Sequence, residues 1–91
     1  MINDTLKERG SRYGEFKTGG DLANALKDTM RSHPKFERLQ GYQAEALDMI
    51  QHKISRIING EPSYGDNWHD IAGYATLVEN ELNKGENDVN N

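Results

Sequence analysis

The 91-residue sequence contains no cysteine, only two prolines and no long apolar run. Without cysteine, disulfides and thiolate metal sites are excluded, and a reducing intracellular compartment is expected. A membrane-spanning helix needs ~20 consecutive apolar residues, and a secretory leader needs a basic stretch followed by an apolar one. The sequence has neither, so we expect a soluble cytoplasmic protein with no membrane partner.

Hydrophobic residues are also scarce, at 34% of the sequence, whereas 29% of the residues are charged. A chain of this length forms one domain and buries roughly 60% of the surface that its unfolded form exposes. Such a small core favours a homo-oligomer, for which a dimer is the default. The 15 acidic and 11 basic residues give a net charge of −4, which argues against a general nucleic-acid binder.

The sequence does contain helical periodicity, because apolar residues recur at spacings of three and four along two segments. The first runs from Gln43 to Ile58 and is closed by Asn59 and Gly60, and the second is capped by Asp66 or Asn67. The two stripes match each other and predict an antiparallel hairpin. They consist of Leu47, Ile50, Ile54 and Ile57 in the first segment and of Trp68, Ile71, Ala75, Val78 and Leu82 in the second.

Two shorter helices are predicted before the hairpin, one from Asn3 or Asp4 to Gly10 and one from an Asp21 cap to Pro34. Residues 10–20 contain four glycines and are predicted to form a loop. The polar segment 84–91 is predicted to be a disordered tail, which leaves 1–83 as a single helical domain. The predicted fold class is all-α, a small helical bundle dominated by the hairpin and completed by oligomerisation.

Acidic residues on the two hairpin helices form the first candidate site. Glu45 and Asp48 lie one turn apart on one face, where they could share a divalent cation. Asp66 and Asp70 begin the next helix, which faces the end of the first in an antiparallel hairpin. Oxygen ligands of this kind favour Mg²⁺. Two basic residues nearby would offset the charge of a substrate's phosphates, namely Lys53 and Arg56.

The same charges also have a purely structural interpretation. Glu45, Asp48 and Lys53 could form an ordinary solvated face, since exposure is the default for charged side chains. Asp70 could pair with Lys53 or Arg56 across the hairpin and so fix its register. Residue types alone leave both interpretations open.

The glycine-rich segment 9–20 is the second candidate site. Arg9, Arg12 and Lys17, together with backbone amides freed by glycine, could bind a phosphate, and Tyr13 and Phe16 could bind a base. The spacing matches no phosphate-binding loop. In the alternative interpretation, the two aromatic rings fill the bottom of the bundle.

Three stretches form longer motifs: Glu-Arg-Gly-Ser-Arg-Tyr-Gly-Glu-Phe at 8–16, His-Lys-Ile-Ser-Arg-Ile-Ile-Asn-Gly at 52–60, and Asp-Asn-Trp-His-Asp-Ile-Ala-Gly-Tyr-Ala at 66–75. Together they resemble a family of small tailed-phage and prophage proteins with no established function. The second half, with Lys-x-x-Arg before an Asp-Ile-Ala-x-Tyr helix, distantly resembles the MazG-like all-α nucleotide pyrophosphohydrolases.

The MazG-like proteins bind Mg²⁺ through Glu-x-x-Glu on one helix and Glu-x-x-Asp on the next. The resemblance places Glu45 and Asp48 in the first pair and Asn67 and Asp70 in the second. Asp48 is shorter than the family's residue and Asn67 replaces an acid, although Asp66 could substitute for it. The resemblance thus implies either an active site that has been rebuilt or one that has lost its activity.

Three functional hypotheses follow. The first is a Mg²⁺-dependent nucleoside triphosphate pyrophosphohydrolase with Glu45 and Asp70 as catalytic residues, or an inactive nucleotide-binding relative, in the cytoplasm of a phage host. The second is a non-enzymatic phage accessory protein that binds a host protein. The third, nucleic-acid binding, is disfavoured by the net acidity, and it would rest on Lys7, Arg9, Arg12 and Lys17.

Overall fold

The computed structural model describes the backbone of residues 2–90 and the side chains of residues 2–84. Over this range the chain forms no strand, and the predicted all-α class is confirmed. No helix in the described part of the chain is long and apolar enough to cross a membrane. The helices are α1 (Ile2–Tyr13), α2 (Phe16–Ser32), α3 (Gly41–Asn59) and α4 (Gly65–Asn90), with a 3₁₀ turn at Phe36–Arg38.

Helix α3 lies at the centre and packs against the other three helices. At its start, Gln40 and Gln43 form a reciprocal capping box, in which each side chain bonds to the other residue's backbone. At its end, the Gly60 amide donates to the Arg56 carbonyl. The predicted helix over 43–58 is confirmed, and its first two residues were missed because a glutamine cap is uncommon.

Helices α3 and α4 form the predicted hairpin. The Lys53 Nζ lies 2.9 Å from the Asp70 Oδ2 and ties the two helices together. The pairing of Asp70 with Lys53 across the hairpin, which the structural interpretation predicts, is therefore present. A disordered tail was predicted over residues 84–91. The side chains after Lys84 lie outside the described residues, so this stays a prediction.

The apolar stripe of α4 does not face α3 as squarely as its spacing predicts. Asn67 is buried at 1% exposure, whereas Trp68 is 55% exposed and Leu82 is about half exposed. The pairing of Lys53 with Asp70 and the burial of Asn67 fix the rotation of α4 about its axis. Part of the stripe consequently lies along one flank of the hairpin.

The glycine-rich segment is not the predicted loop. Helix α1 continues through Gly10 to Tyr13, and α2 begins at Phe16, so only Gly14 and Glu15 connect them. A glycine inside a helix costs only about 1 kcal/mol relative to alanine, an amount that packing of the helix can outweigh. The prediction that Gly10 ends the first helix was wrong for this reason.

The second helix likewise starts earlier than predicted. Its N-cap is Glu15, which makes no side-chain capping bond. Asp21 does not cap the helix but lies within it, where its carboxylate accepts a bond from Lys17 Nζ at 3.0 Å. The predicted end is confirmed, because α2 ends at Ser32, shortly before Pro34.

The interior of the described chain is small and partly polar. Its buried hydrophobic residues are Ala23, Ala46 and Ile57, and they are joined by three buried polar ones, Gln51, Ser55 and Asn67. The radius of gyration is 16.2 Å, whereas a compact domain of this length has one of about 12 Å. Much of the hydrophobic surface is therefore left outside the chain's own core.

Candidate functional site

Asn59, the last residue of α3, fastens the junction of α1 and α2 onto the end of α3. Its Nδ2 donates to the carbonyl oxygens of Tyr13 at 2.8 Å and Glu15 at 2.9 Å. Its Oδ1 accepts a bond from the Thr18 hydroxyl at 2.8 Å. One side-chain amide thus satisfies backbone carbonyls at the end of α1 and holds the first turn of α2.

Two glycines allow this close approach. Gly14 has a φ of 80°, a left-handed conformation that residues with a side chain rarely adopt, and a β-carbon there would collide with the Asn59 carbonyl oxygen. A β-carbon on Gly60 would collide with the backbone of Arg12 and Tyr13. The neighbouring Glu61 amide donates to the Arg12 carbonyl at 2.7 Å. The contact is thus between two backbone segments.

Aromatic and guanidinium groups stack beside this contact. The Arg56 guanidinium lies 4.4 Å from the centre of the Tyr13 ring, and the Arg12 guanidinium lies 4.3 Å from that of Tyr64. The two rings meet edge to face at 6.3 Å. Cation–π and ring contacts of this kind hold each side chain in one position.

A cavity of about 540 Å³ lies next to this contact, between α1, the first turn of α2 and the second half of α3. Its walls are mostly apolar and include Leu6, Tyr13 and several glycines. Phe16 lies at its edge and is 92% exposed. The prediction that Phe16 fills the bottom of the bundle was therefore wrong. We refer to this cavity as the α1–α3 pocket.

The charges that line the α1–α3 pocket are mainly positive. Arg9 and Arg56 contribute guanidinium groups, and Glu15 contributes the acid. Within residues 2–84 neither arginine forms an ion pair. The first amides of α2, which lack a side-chain cap, add the positive end of a helix dipole at the same place.

His52 completes the polar part of the lining. Burial lowers the pKa of its imidazole below the ordinary value, and the nearby charges of Arg56, Lys27 and Lys53 lower it further. The imidazole is therefore harder to protonate than that of an ordinary histidine. An anion placed in the pocket would oppose all of these effects, because it would favour the protonated ring.

The acids predicted to hold Mg²⁺ have other partners. Asp48 accepts two bonds from the Arg31 guanidinium, at 2.8 and 2.6 Å, and this bond lowers the pKa of its carboxyl group. Asp70 is paired with Lys53, which lowers the pKa of Asp70 in the same way. Asp66 accepts a bond from the Tyr64 hydroxyl at 2.7 Å.

These acids are also spread along the hairpin. Asp70 of α4 lies at the level of Lys53 on α3. Lys53 comes five residues after Asp48, so Asp48 and Asp70 are separated by about 7.5 Å along the helix axis. Glu45 is exposed one turn before Asp48. Among the side chains of residues 2–84, no three His, Asp or Glu residues are grouped so that they could hold a metal ion. The described residues therefore do not fit the predicted Mg²⁺ site.

The predicted substrate-binding bases are divided by the structure. Arg56 lines the α1–α3 pocket, whereas Lys53 is paired with Asp70. Arg12 stacks on Tyr64, and Lys17 is paired with Asp21, so neither lines the pocket. Two residues of the site were not predicted from the sequence, because Asn59 was interpreted only as a helix end and His52 was given no role in ligand binding. Arg9 was predicted as one of the bases of the glycine-rich segment, and it does line the pocket.

The fold and the pocket define a small all-α protein with an open basic cavity beside its central helix. Residues 3–82 match a family model described as a domain of unknown function, DUF6378. Since the match covers most of the chain, the protein belongs to this family. No curated protein and no solved structure matches the chain. The phage origin and the MazG-like similarity stay predictions.

Proposed function

We propose that the α1–α3 pocket binds a phosphate-bearing ligand of the nucleotide class. The observation that carries this proposal is the pair of guanidinium groups, Arg9 and Arg56, which line an apolar cavity and form no ion pair within residues 2–84. Phosphate oxygens are suitable acceptors for them, since hydrogen bonds between charged groups contribute roughly 1.5–3 kcal/mol each. The cavity volume of about 540 Å³ also lies within the range of small-molecule sites.

The apolar wall supports a nucleotide rather than phosphate alone. Phe16 is almost fully exposed at the edge of the pocket, and Leu6 and Tyr13 lie in its lining. A base stacked on an exposed ring removes apolar surface from water, and such stacking is worth roughly 1–3 kcal/mol. The phosphates would then lie toward Arg56 and the base toward Phe16.

The arrangement of the acids favours binding over hydrolysis. Asp48 and Asp70, expected as Mg²⁺ ligands, are each engaged by a basic side chain, and Glu45 lies apart from Asp70. Of the two forms of the nucleotide hypothesis, this supports the nucleotide-binding relative. Mg²⁺ would in that case arrive as the counter-ion of the nucleotide's phosphates.

Calorimetric titration tests this proposal directly. Inorganic pyrophosphate and a panel of nucleoside triphosphates, each with and without Mg²⁺, are titrated into the wild-type protein and into Arg9→Gln and Arg56→Gln. Each substitution is expected to weaken binding at least about tenfold. Arg38→Gln, an exposed arginine outside the pocket lining, is the matched control and should leave binding unchanged.

Pyrophosphate separates recognition of the phosphates from recognition of the base. Binding that survives both pocket substitutions would contradict the proposed site. Mg²⁺-dependent release of pyrophosphate from a nucleotide, abolished in Asp70→Asn while the fold is kept, would instead support the pyrophosphohydrolase.

The pH dependence provides an independent check. Because the pKa of His52 is depressed in the empty pocket and an anion raises it, binding takes up a proton. Relative to His52→Gln, the affinity of the wild type for pyrophosphate is therefore expected to rise as the pH falls toward the ordinary histidine pKa of about 6.5 and below it. In His52→Gln this part of the pH dependence should be lost, and an unchanged profile would show that the imidazole does not face the anion.

The phage accessory protein that binds a host protein is the alternative. A folded sample that binds none of the phosphate ligands would favour it. Self-association, the other expected interaction, would involve a different face of the molecule and leave the pocket accessible.

A further inference from the structure

The central helix α3 has two unlike sides. The side toward α2 is polar and covered, as shown by the bonds from Arg31 to Asp48 and from Thr18 to Asn59. The charged and titratable side chains of α3 between Asp48 and Arg56 project toward α2, α1 or α4. They are Asp48, His52, Lys53 and Arg56. On a neighbouring flank, about 100° around the helix from Asp48, Leu47, Ile54 and Ile58 follow one another at spacings of seven and four, and all three remain exposed.

Helix α4 continues this exposed flank. The pair formed by Lys53 and Asp70 marks one edge of the hairpin. Trp68 lies two residues before Asp70, about 160° away around the helix, and therefore lies on the other edge, beside Ile54. Leu82 and the exposed Ala75 follow Trp68 at spacings of seven, on the same edge of α4. We call these six residues the apolar face: Leu47, Ile54, Ile58, Trp68, Ala75 and Leu82.

We propose that the apolar face is the surface on which a second copy of this chain packs, hairpin against hairpin, to form a four-helix bundle. This inference does not rest on the proposed ligand. The five large side chains of the face are each 38–66% exposed, and together they supply part of the roughly 800 Å² per partner that stable interfaces bury.

Two further observations favour a second copy over a partner of another kind. The chain buries very few hydrophobic side chains of its own, and its radius of gyration of 16.2 Å exceeds that of a compact domain. The apolar face is also uncharged and runs along two antiparallel helices, so a twofold axis through it brings like surface onto like surface. Such packing supplies the core that the single chain lacks.

The same arrangement determines where the α1–α3 pocket would lie in the dimer. His52 and Arg56 project from α3 on the side away from Ile54 and Ile58. The two pockets of the dimer would therefore lie on its outer surfaces, each formed by one chain, and no residue of the partner is needed to complete either of them.

Sedimentation equilibrium over a micromolar concentration range tests the proposal. The wild-type protein is expected at twice the chain mass of 10.3 kDa. Ile58→Glu and Leu82→Glu each place a carboxylate at one of the two ends of the face, twice per dimer, and should weaken the dimer by about 100-fold. Both positions are exposed in the single chain, so the fold should survive, as checked by circular dichroism.

Leu77→Glu is the matched control. Leu77 is 65% exposed, as Ile58 is 66% exposed, but it lies on the other side of α4 from Trp68. It should leave the dimer intact. A wild-type protein that stays monomeric would overturn the proposal, and so would a dimer that resists both face substitutions or is broken by Leu77→Glu. Pyrophosphate binding should be unaffected in Leu82→Glu, which separates this proposal from the proposed function.

Discussion

The two sides of α3 are built from different interactions. On one side, Asn59 and the Arg31–Asp48 pair fix α1 and α2 through bonds that need particular atoms at particular distances. On the other, the apolar face offers area without directional bonds. Directional polar contacts select one arrangement within the chain and leave an ordered pocket. Apolar area, by contrast, needs only a complementary surface, which a second copy provides.

The largest effect on stability is expected at Gly14, where the connection between α1 and α2 contacts the backbone of Asn59. Gly14→Ala should destabilise the protein by about 2–4 kcal/mol, because the new methyl group collides with the Asn59 carbonyl and the left-handed φ becomes strained. Urea denaturation followed by circular dichroism measures this. Gly10→Ala is the control, with open space at its β-carbon, and should instead stabilise by about 0.5–1 kcal/mol. Equal effects of the two substitutions would contradict the described contact.

Removal of the Asn59 amide should have the next largest effect. Asn59→Ala deletes three hydrogen bonds, including the one that the Tyr13 carbonyl accepts, at an expected cost of about 2–3 kcal/mol, whereas the Glu15 carbonyl still accepts a bond from the Gly19 amide. Asn80→Ala, an exposed asparagine on α4, should change the free energy of unfolding by less than about 0.5 kcal/mol. Pyrophosphate binding should weaken in Asn59→Ala even below its unfolding temperature, since the pocket loses its support.

Gln51 lies at the boundary between the two sides. It is 3% exposed, and neither polar atom of its amide has a hydrogen-bond partner among the described residues. Gln51→Leu removes this unpaired group at similar volume, and we expect a gain of about 1 kcal/mol in unfolding free energy. Gln43→Leu is the control and should destabilise, because Gln43 forms the capping box. A loss of stability in Gln51→Leu would reveal a polar partner for the amide.

The smallest effect is expected on the pH dependence of the free energy of unfolding. The Arg31 bond holds the pKa of Asp48 below its unfolded value, so the pair stabilises the protein above about pH 4 and this contribution is lost as the pH falls through the native pKa. The urea midpoint of Asp48→Asn should therefore decline less than that of the wild type between neutral and acidic pH. Glu45→Gln, an exposed acid one turn away, should follow the wild-type profile.

Much of the fold could be predicted because its causes are local. The Leu and Ile spacing of α3, its end at Gly60, and the turn before α4 are properties of neighbouring residues. The role of Asp70 followed from the hairpin register once the two helices were placed. The same reasoning failed for 10–20, where glycine content predicts a loop but Gly10, Gly19 and Gly20 lie within helices.

The candidate site could be predicted only in part. Arg56 was assigned to ligand binding because it lies near the acids of the hairpin and would offset the charge of a substrate's phosphates, and it does line the pocket. Asn59 was missed because an asparagine before a glycine is a common helix end, and nothing nearby in the sequence reveals that it bonds to residues more than 40 positions away. The acids were predicted to converge because their spacing suits a cation. Instead, Asp48 pairs with Arg31 of α2 and Asp70 pairs with Lys53 of α3, so each acid is held by a residue of another helix.

The sequence by itself determined the helices of the hairpin and the scarcity of core, since periodicity and composition are local and additive quantities. Only the tertiary structure decided which glycines mark a loop and which permit contact between backbones, as at Gly14 and Gly60. It also decided that Arg9 and Arg56 share a pocket while Asp48 and Asp70 are paired apart. These outcomes depend on distances between segments remote in the chain, and such distances are fixed only when the helices pack.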